Sequence, residues 1–236
     1  MLVKTKAIVI SALRYQEKSL IVKCFTQSSG IRSYYVRDAF GTKKSGQKNI
    51  YFRPLTLIEI VASHKNKGTL EYFKEVALAQ PYSTLHTDIA KTTIAIFISE
   101  VLHFCIKEEE QNLSLYKFLE TALLWLDGND GPANFHLILL MEISKFLGFY
   151  PDGTEQHLYF EMTGGTFVPY PTSTCLTEVE TSLLRRLMVL KLNNSSNAFH
   201  VTERQALLKI MLDYYALHLD GFRRPKSLDV LREVFS

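Results

Sequence analysis

The feature of the sequence that most constrains the fold is a change in hydrophobic periodicity near residue 80. Up to that point, short apolar runs alternate with polar residues at a period of two, the pattern of β-strands with one buried face. From Ser83 onward, apolar residues recur at the i, i+3, i+4 spacing of helices that bury one side. The chain is therefore predicted to be an α+β protein whose strands come first and whose helices follow.

Five strand-like runs precede the change in period. They cover residues 3–13, 20–26, 31–36, 50–62 and 70–79. The fourth run is predicted to bend near Pro54, because proline cannot donate to a strand ladder. Five strands without a long helix favour a small closed barrel, and the OB-fold is the common five-stranded barrel that binds oligonucleotides. We therefore predict an OB-fold domain that binds single-stranded nucleic acid over residues 1–80.

The rest of the chain, residues 81–236, is predicted to form an all-helical domain. The helical runs cover residues 94–105, 113–126, 135–149, 179–190 and 206–219, and a short last helix starts near residue 227. Capping boxes open the fourth of these runs at Thr177 and the fifth at Thr202. A Gly-Gly pair at residues 164–165, flanked by two short runs, predicts a small β-hairpin inserted between helices.

The composition is that of a globular protein in water, with 47% hydrophobic and 22% charged residues. No run approaches the roughly 18 uninterrupted apolar residues of a membrane span, and the N-terminus lacks the apolar block of a signal peptide. The cysteines, Cys24, Cys105 and Cys175, are far apart, so that no disulfide framework is expected. These features predict a cytoplasmic protein that has no membrane partner.

The net charge of +3 conceals a strong asymmetry along the chain. Residues 1–80 contain 14 basic and 5 acidic residues, so that this segment carries a charge of +9. The rest of the chain contains 13 basic and 19 acidic residues and carries −6. Such a separation is typical of a polyanion-binding module joined to another domain, although a solvated basic face on an ordinary domain would give the same numbers.

No motif for catalysis is present. The sequence lacks the GxxxxGK[ST], GxGxxG and GxSxG signatures, and none of its 7 histidines stands at a metal-ligand spacing from another histidine or a cysteine. A nuclease on a barrel scaffold would need clustered acids for metal ions, and the basic segment has only 5 acids in all. We therefore expect no enzymatic activity, no cofactor and no metal site.

The strongest candidate site is the basic segment at residues 37–53, RDAFGTKKSGQKNIYFR. Basic side chains neutralise phosphates and aromatic rings stack on unpaired bases, a combination that binds single strands without sequence preference. Tyr34 and Tyr35 point to opposite faces of their strand, so that at most one of them can face DNA. The residues predicted to bind DNA are Arg14, Lys23, Arg32, Tyr34, Arg37, Lys43, Lys44, Lys48 and Arg53.

A set of short motifs stands in a fixed order along the chain. The N-terminal ones are Ala7 to Ile10, Tyr15 with Glu17, Phe25-Thr26, Gly30 and the basic loop from Gly41 to Lys44. The later ones are FRPLTLIEI at residues 52–60, FLGFYPD at 146–152 and HLDGFRRPKSLDVLREVF at 218–235. The ordered set covers nearly the whole chain and resembles the RecO family of bacterial recombination mediators.

The resemblance implies an N-terminal OB-fold, a helical C-terminal domain, binding of single- and double-stranded DNA, and annealing of complementary strands. It also implies partnership with RecR and with the C-terminal tail of single-strand-binding protein ahead of RecA loading, at the nucleoid. Many members carry a four-cysteine zinc knuckle after the Pro-Asp helix end. At the same place, about residues 152–175, only Cys175 remains, so that a degenerate hairpin without metal is expected.

A tail that ends in acids and a large apolar residue requires a basic rim around an apolar pocket. In the helical domain, the basic residues of the two capped helices are the candidates, with Leu187 or Leu208 in the pocket. They are Arg185, Arg186, Lys191, Arg204 and Lys209. The same charges would also arise from helix surfaces that only confer solubility. The alternative to a DNA-annealing mediator is a helical interaction scaffold that carries a generic nucleic-acid-binding OB domain.

Overall fold

A computed structural model describes residues 2–40, 50–64, 70–153, 157–194 and 198–236. The first elements are β1 (Leu2–Tyr15), β2 (Ser19–Thr26), β3 (Gly30–Val36), β4 (Leu57–Ser63) and β5 (Glu71–Leu78). They are followed by α1 (Ile89–Cys105), α2 (Leu113–Gly128), α3 (Phe135–Phe146), β6 (Tyr159–Glu161), β7 (Thr166–Val168), α4 (Glu178–Val189), α5 (Val201–His218) and α6 (Leu228–Val234). The predicted fold class is confirmed, because a closed five-stranded barrel precedes the helices and a small hairpin interrupts them.

The barrel closes in the order β1-β2-β3-β5-β4 and back to β1. Neighbouring strands are antiparallel except for β3 and β5, which run parallel and are joined through the pairs Tyr34–Glu71 and Tyr35–Tyr72. This closed five-stranded arrangement agrees with the OB-fold prediction. The fourth strand is shorter than predicted, because a helical turn at residues 50–52 and a bend after it come before β4.

The barrel interior is filled by the inward half of each strand. Along β1, Ala7 and Val9 are fully buried, and a bulge between Val9 and Ser11 lets the long strand pair with β4 at one end and β2 at the other. Three aromatic rings stack within the core: the Phe73 ring lies between those of Tyr34 and Phe52, at centroid distances of 4.2 and 5.6 Å. The alternation that predicted these strands therefore also determines which side chains reach the core.

The first two helices belong to the same compact unit as the barrel, which extends to Gly128 and includes Pro225–Ser227. α1 packs against β1, and Asp88 caps its first turn by accepting from the backbone N–H of Lys91. At the end of α2, the Asp127 carboxylate accepts the backbone N–H groups of residues 83–85 at 2.8–2.9 Å. The last barrel strand ends at Leu78, and the compact unit that contains the barrel continues to Gly128.

The second compact unit comprises residues 129–224 and 228–236. α3 is its central helix, since only Glu142, Lys145 and Phe146 of its side chains escape full burial. The capping box predicted at Thr177 is present, with Thr177 Oγ1 accepting from the Glu180 N–H. The one predicted at Thr202 is wrong: α5 begins at Val201, and it is the side chain of Glu203 that accepts the N–H of His200.

The hairpin β6–β7 belongs to this second unit and is held by packing. Phe160 stacks near Phe167 with ring centroids 5.0 Å apart and also contacts Tyr214 of α5 at 5.7 Å. Gly165 has φ +67°, and a Cβ on it would lie 2.4 Å from Tyr214 Oη, so that only glycine fits the turn. Cys175 is a free thiol, and the described residues contain no cluster of His, Cys, Asp and Glu that could hold a metal ion.

Across the described ranges, none of the helices combines the length and the hydropathy that crossing a membrane would require.

Candidate nucleic-acid interface

A row of side chains crosses the outer face of the barrel. The strand register pairs Leu13 of β1 with Ile21 of β2. Ile21 in turn pairs with Tyr35 of β3, and Tyr35 pairs with Tyr72 of β5. Residues in lateral register share one face of a sheet, and exposures of 61% for Leu13 and 52% for Tyr72 identify this face as the outer one.

Tyr35 is the centre of three tyrosines, Tyr15, Tyr35 and Tyr72, which we call the tyrosine row. The Tyr35 ring centroid lies 6.2 Å from that of Tyr15 and 5.9 Å from that of Tyr72, edge to face in both cases. Tyr35 Oη and Ser19 Oγ are 2.8 Å apart and share a hydrogen bond, which fixes the central ring. Tyr15 is 44% exposed, so that the row presents ring surface to solvent.

Exposed basic residues lie on the strands and turns that carry the tyrosine row. They are Arg14 and Lys18 near the β1–β2 turn, Arg37 directly after β3, and Lys74 in β5. Lys74 is two residues after Tyr72 in the same strand, at a bulge in the pairing with β4, and it is exposed as Tyr72 is. Within the described ranges, none of these four cations pairs with a carboxylate. The Arg14 guanidinium lies 5.2 Å from the centroid of the exposed Phe40 ring.

The predicted DNA-binding residues divide into three groups. Arg14, Arg37 and Arg53 are exposed on the barrel or its connections, as the prediction requires. Lys43, Lys44 and Lys48, in the centre of the predicted basic loop, lie outside the described residues. Tyr34, Lys23 and Arg32 occupy places that conflict with the prediction.

Tyr34 belongs to the barrel core and not to its surface. Its side chain is fully buried, stacked on Phe73, and its Oη is 2.8 Å from His64 Nε2. Burial raises the pKa of the Tyr34 hydroxyl, which keeps it protonated and able to donate. Because adjacent residues of a strand face opposite ways, the ring that reaches the surface is that of Tyr35.

Lys23 attaches the barrel to the last turn of α1, and Arg32 attaches it to the segment that follows. Lys23 Nζ donates to the carbonyl of His103 at 3.0 Å, and burial, together with the charge of Lys107, lowers the pKa of Lys23. The side chain of Arg32 is only 11% exposed, and it pairs with the carboxylate of Glu109 at 2.6 Å. Both cations are therefore engaged within the protein and are not presented to DNA in this conformation.

All three members of the tyrosine row are absent from the predicted DNA-binding residues, which included Tyr34 in place of Tyr35. Tyr15 lies two residues beyond the first predicted strand, and Tyr72 lies in the fifth. Nothing local indicates that Tyr72 meets Tyr35, because the two are 37 residues apart in the chain. The alternation of β3 did show that only one of Tyr34 and Tyr35 can face outward. The sequence signal that could have identified a further member of the row is Tyr15, an aromatic residue at the exposed end of β1.

Most of the basic residues predicted to bind a partner are engaged with neighbours in their own unit. Arg185 lies over the Phe167 ring at 3.8 Å and donates to the carbonyl of His157. The other ion pairs are Arg186–Glu203 at 2.6 Å, Lys191–Glu142 at 3.1 Å and Lys209–Asp213 at 3.8 Å. These contacts leave Arg204 as the predicted residue that borders a pocket.

That pocket is a shallow cleft between α5 and α6. Its apolar lining is Leu208, Leu231 and Phe235, and the buried His136 lies at its base. Arg204, Gln205 and Arg232 border it, and Arg204 is held by the backbone carbonyls of residues 199 and 235 at 2.8 and 3.3 Å. Of the residues predicted for a tail-binding site, Arg204 and Leu208 lie at this cleft, which has a volume of about 10 Å³.

Comparison with known proteins matches both parts of the chain. Residues 1–82 match the family model described as recombination protein O N terminal, and residues 86–229 match recombination protein O C terminal. Among curated proteins, the DNA repair proteins RecO of Flavobacterium johnsoniae and Flavobacterium psychrophilum are 61% and 62% identical to this chain, in each case over the full length of both proteins. The DNA repair protein RecO of Bacteroides fragilis is 38% identical, again over the full length of both.

Proposed function

This chain belongs to the RecO family, and on that basis we propose that it binds single-stranded DNA across its tyrosine row and anneals complementary strands. The observation that carries the proposal is the row itself. Tyr15, Tyr35 and Tyr72 expose ring surface on one face of an OB barrel, beside cations that lack a described carboxylate partner. A ring stacked on an unpaired base contributes about 1–3 kcal/mol, whereas bases inside a duplex have no free face to offer.

Annealing follows from the same surface without a chemical step. Two DNA strands repel one another, and a protein that neutralises phosphates of both lowers that repulsion. Exposed cations such as Arg14, Lys18, Arg37 and Lys74 act in this way on any sequence, because phosphates carry no base information. Binding of double-stranded DNA would use these cations without the rings. In this proposal the protein is a mediator and not an enzyme.

The partners proposed for the chain are RecR and the C-terminal tail of single-strand-binding protein, with RecA loaded afterwards. The α5–α6 cleft supports docking of the tail, since Arg232 at its rim would pair with an acid while Leu208 and Phe235 contact the terminal apolar residue. The protein would act in the cytoplasm on the DNA of the nucleoid. The helical scaffold alternative retains the cleft but assigns no annealing to the barrel.

A matched pair of tyrosine substitutions tests the proposal. Tyr72→Ala removes a ring that is 52% exposed in the tyrosine row, whereas Tyr170→Ala removes one that is 80% exposed in the other compact unit. We expect Tyr72→Ala to weaken binding of a labelled oligo(dT) at least about fivefold, the factor that corresponds to the loss of about 1 kcal/mol.

Annealing of oligonucleotides coated with single-strand-binding protein is measured on the same variants. It should slow with Tyr72→Ala and stay at the wild-type rate with Tyr170→Ala. Equal affinity and equal annealing for the two variants would remove the tyrosine row from the site. Wild-type annealing by a variant that has lost DNA binding would favour the scaffold alternative.

A further inference from the structure

The hairpin module of the second unit bears a groove that neither DNA binding nor the α5–α6 cleft uses. The groove lies between the segment after β7 and the start of α4, with a volume of about 440 Å³. Its apolar wall is formed by Tyr159, Pro171, Leu176 and Val179. Two hydrogen bonds hold the wall in place. The Tyr159 hydroxyl donates to Glu178 Oε1 at 2.7 Å, and the Leu176 N–H donates to the Phe160 carbonyl at 2.9 Å.

Large apolar side chains around this groove are turned to solvent. Val179 is 72% exposed, and Leu158 and Tyr170, the chain neighbours of two wall residues, are 61% and 80% exposed. Single exposed apolar residues are common on proteins, whereas a group of them around a concave surface marks a site of interaction. The groove therefore offers an apolar anchor point of the kind that binds a protruding side chain.

The chain segment that forms the groove is predominantly acidic. Between residues 146 and 184 the sequence contains 5 acidic residues and neither lysine nor arginine. The next cation along the chain, Arg185, is held against Phe167 and the carbonyl of His157. Burial alone would raise the pKa of Glu161, but hydrogen bonds from Thr174 and from two backbone N–H groups hold that pKa at about 2. The module is therefore negative across the physiological pH range.

We propose that this groove docks a protein segment that presents an apolar side chain beside lysine or arginine residues. The apolar wall accepts the side chain, and Glu178, which lines the groove at the start of α4, pairs with a basic neighbour. A polyanion is repelled by the same acids, so that DNA is excluded from this surface. The docking surface is independent of the tyrosine row and stands even if DNA binds elsewhere on the chain.

The test uses two equally exposed valines of one helix. Val179 and Val189 belong to α4, at 72% and 77% exposure, but only Val179 lines the groove. The probe is a fluorescein-labelled twelve-residue peptide of lysine and leucine with one central tryptophan, titrated against the full-length protein by anisotropy. We expect Val179→Lys to weaken its binding by about tenfold or more, because like charge and the loss of the anchor act together. Val189→Lys should change it less than about twofold.

Additional measurements distinguish a basic protein segment from DNA and from a second copy of the chain as the occupant of the groove. A matched peptide with glutamate in place of lysine should not bind, and Val179→Ser should weaken the basic peptide in the same direction as Val179→Lys. The proposal is overturned if Val179→Lys and Val189→Lys bind the basic peptide equally. It is also overturned if Val179→Lys changes oligo(dT) affinity, or if it alone abolishes a salt-sensitive dimer in sedimentation, since the occupant would then be DNA or a second copy.

Discussion

The contribution of individual cations to DNA binding can be separated by how each is engaged within the protein. Arg37 and Lys74 are exposed and have no carboxylate partner within the described part of the chain. Lys4 and Lys6 lie on the same barrel but pair with Glu59 and Glu120, each at 3.0 Å. Replacing either pair of cations by glutamine removes the same formal charge, so that the two double variants form a matched set.

The expected magnitude follows from counterion release. Each phosphate neutralised on a single strand contributes about −0.7 to the slope of log affinity against log salt. If Arg37 and Lys74 both contact phosphate, their removal lowers the steepness of that slope by about 1.4. Lys4 and Lys6 already have carboxylates beside them, so that their removal should change the slope by much less than one such contact.

The assay is anisotropy of a labelled oligo(dT) between about 50 and 200 mM salt, the range over which phosphate contacts are strongly screened. Unfolding by urea, followed on both variants, confirms that the barrel is intact. If both double variants flatten the slope equally, the cations act through the overall field of the barrel and not through contact. If neither changes it, the path of DNA does not cross this face.

Four further predictions concern stability and partners. Burial, followed by the charge of Arg204, lowers the pKa of His136 to about 3. The contribution of His136 to stability is therefore complete above its unfolded pKa of 6.5 and decreases as the pH falls toward 3. Between pH 7 and pH 5, the free energy of unfolding in urea should fall by about 2 kcal/mol more for wild type than for His136→Gln, and equal losses would contradict the shift. Gly30→Ala should cost about 2 kcal/mol or more in the same assay, because φ is +64° and a Cβ would lie 2.3 Å from the carbonyl oxygen of Glu110; a neutral effect would mean that the contact is absent in solution. Arg232→Glu should weaken binding of an acidic, apolar tail peptide in calorimetry, whereas Arg223→Glu, exposed but outside the α5–α6 cleft, should not. Metal analysis of the purified chain should find far less than one zinc per molecule, and a stoichiometric amount would overturn the prediction of a metal-free hairpin.

Local patterns were sufficient to predict the elements of the fold. Alternation over seven or eight residues identified β2 and β3 nearly to their ends, and the Thr177–Glu180 box gave the start of α4. The start of α5 was misplaced because the sequence offers two possible capping pairs, His200 with Glu203 and Thr202 with Gln205. The sequence does not show which of the two forms. The Asp127 anchor could not be predicted, because its backbone donors are more than 40 residues away in the chain.

The candidate site was predicted less well than the fold, for the same reason of distance. The partners that engage Lys23 and Arg32 are 80 and 77 residues away, so that their charges appeared available in the sequence. Alternation separated Tyr34 from Tyr35 without showing which of them faces the core, since that depends on the hand and closure of the barrel. Charge counts thus indicated which segment is basic, whereas the identity of the exposed cations required the three-dimensional contacts.

The contact at Gly30 has a consequence for the behaviour of the protein at high concentration. Within the described residues, β3 pairs with β5 through Tyr34 and Tyr35, and the first residues of β3 have no strand partner on that side. The carbonyl of Glu108 accepts the Ile31 N–H at 3.0 Å, and the bare Cα of Gly30 lets this segment lie close against the strand. An unpaired edge is a template for intermolecular strand addition and aggregation, and covering it with an acidic segment also adds like-charge repulsion between neighbouring copies. At high concentration, neighbouring copies of the protein are thereby kept from joining their barrels edge to edge at β3.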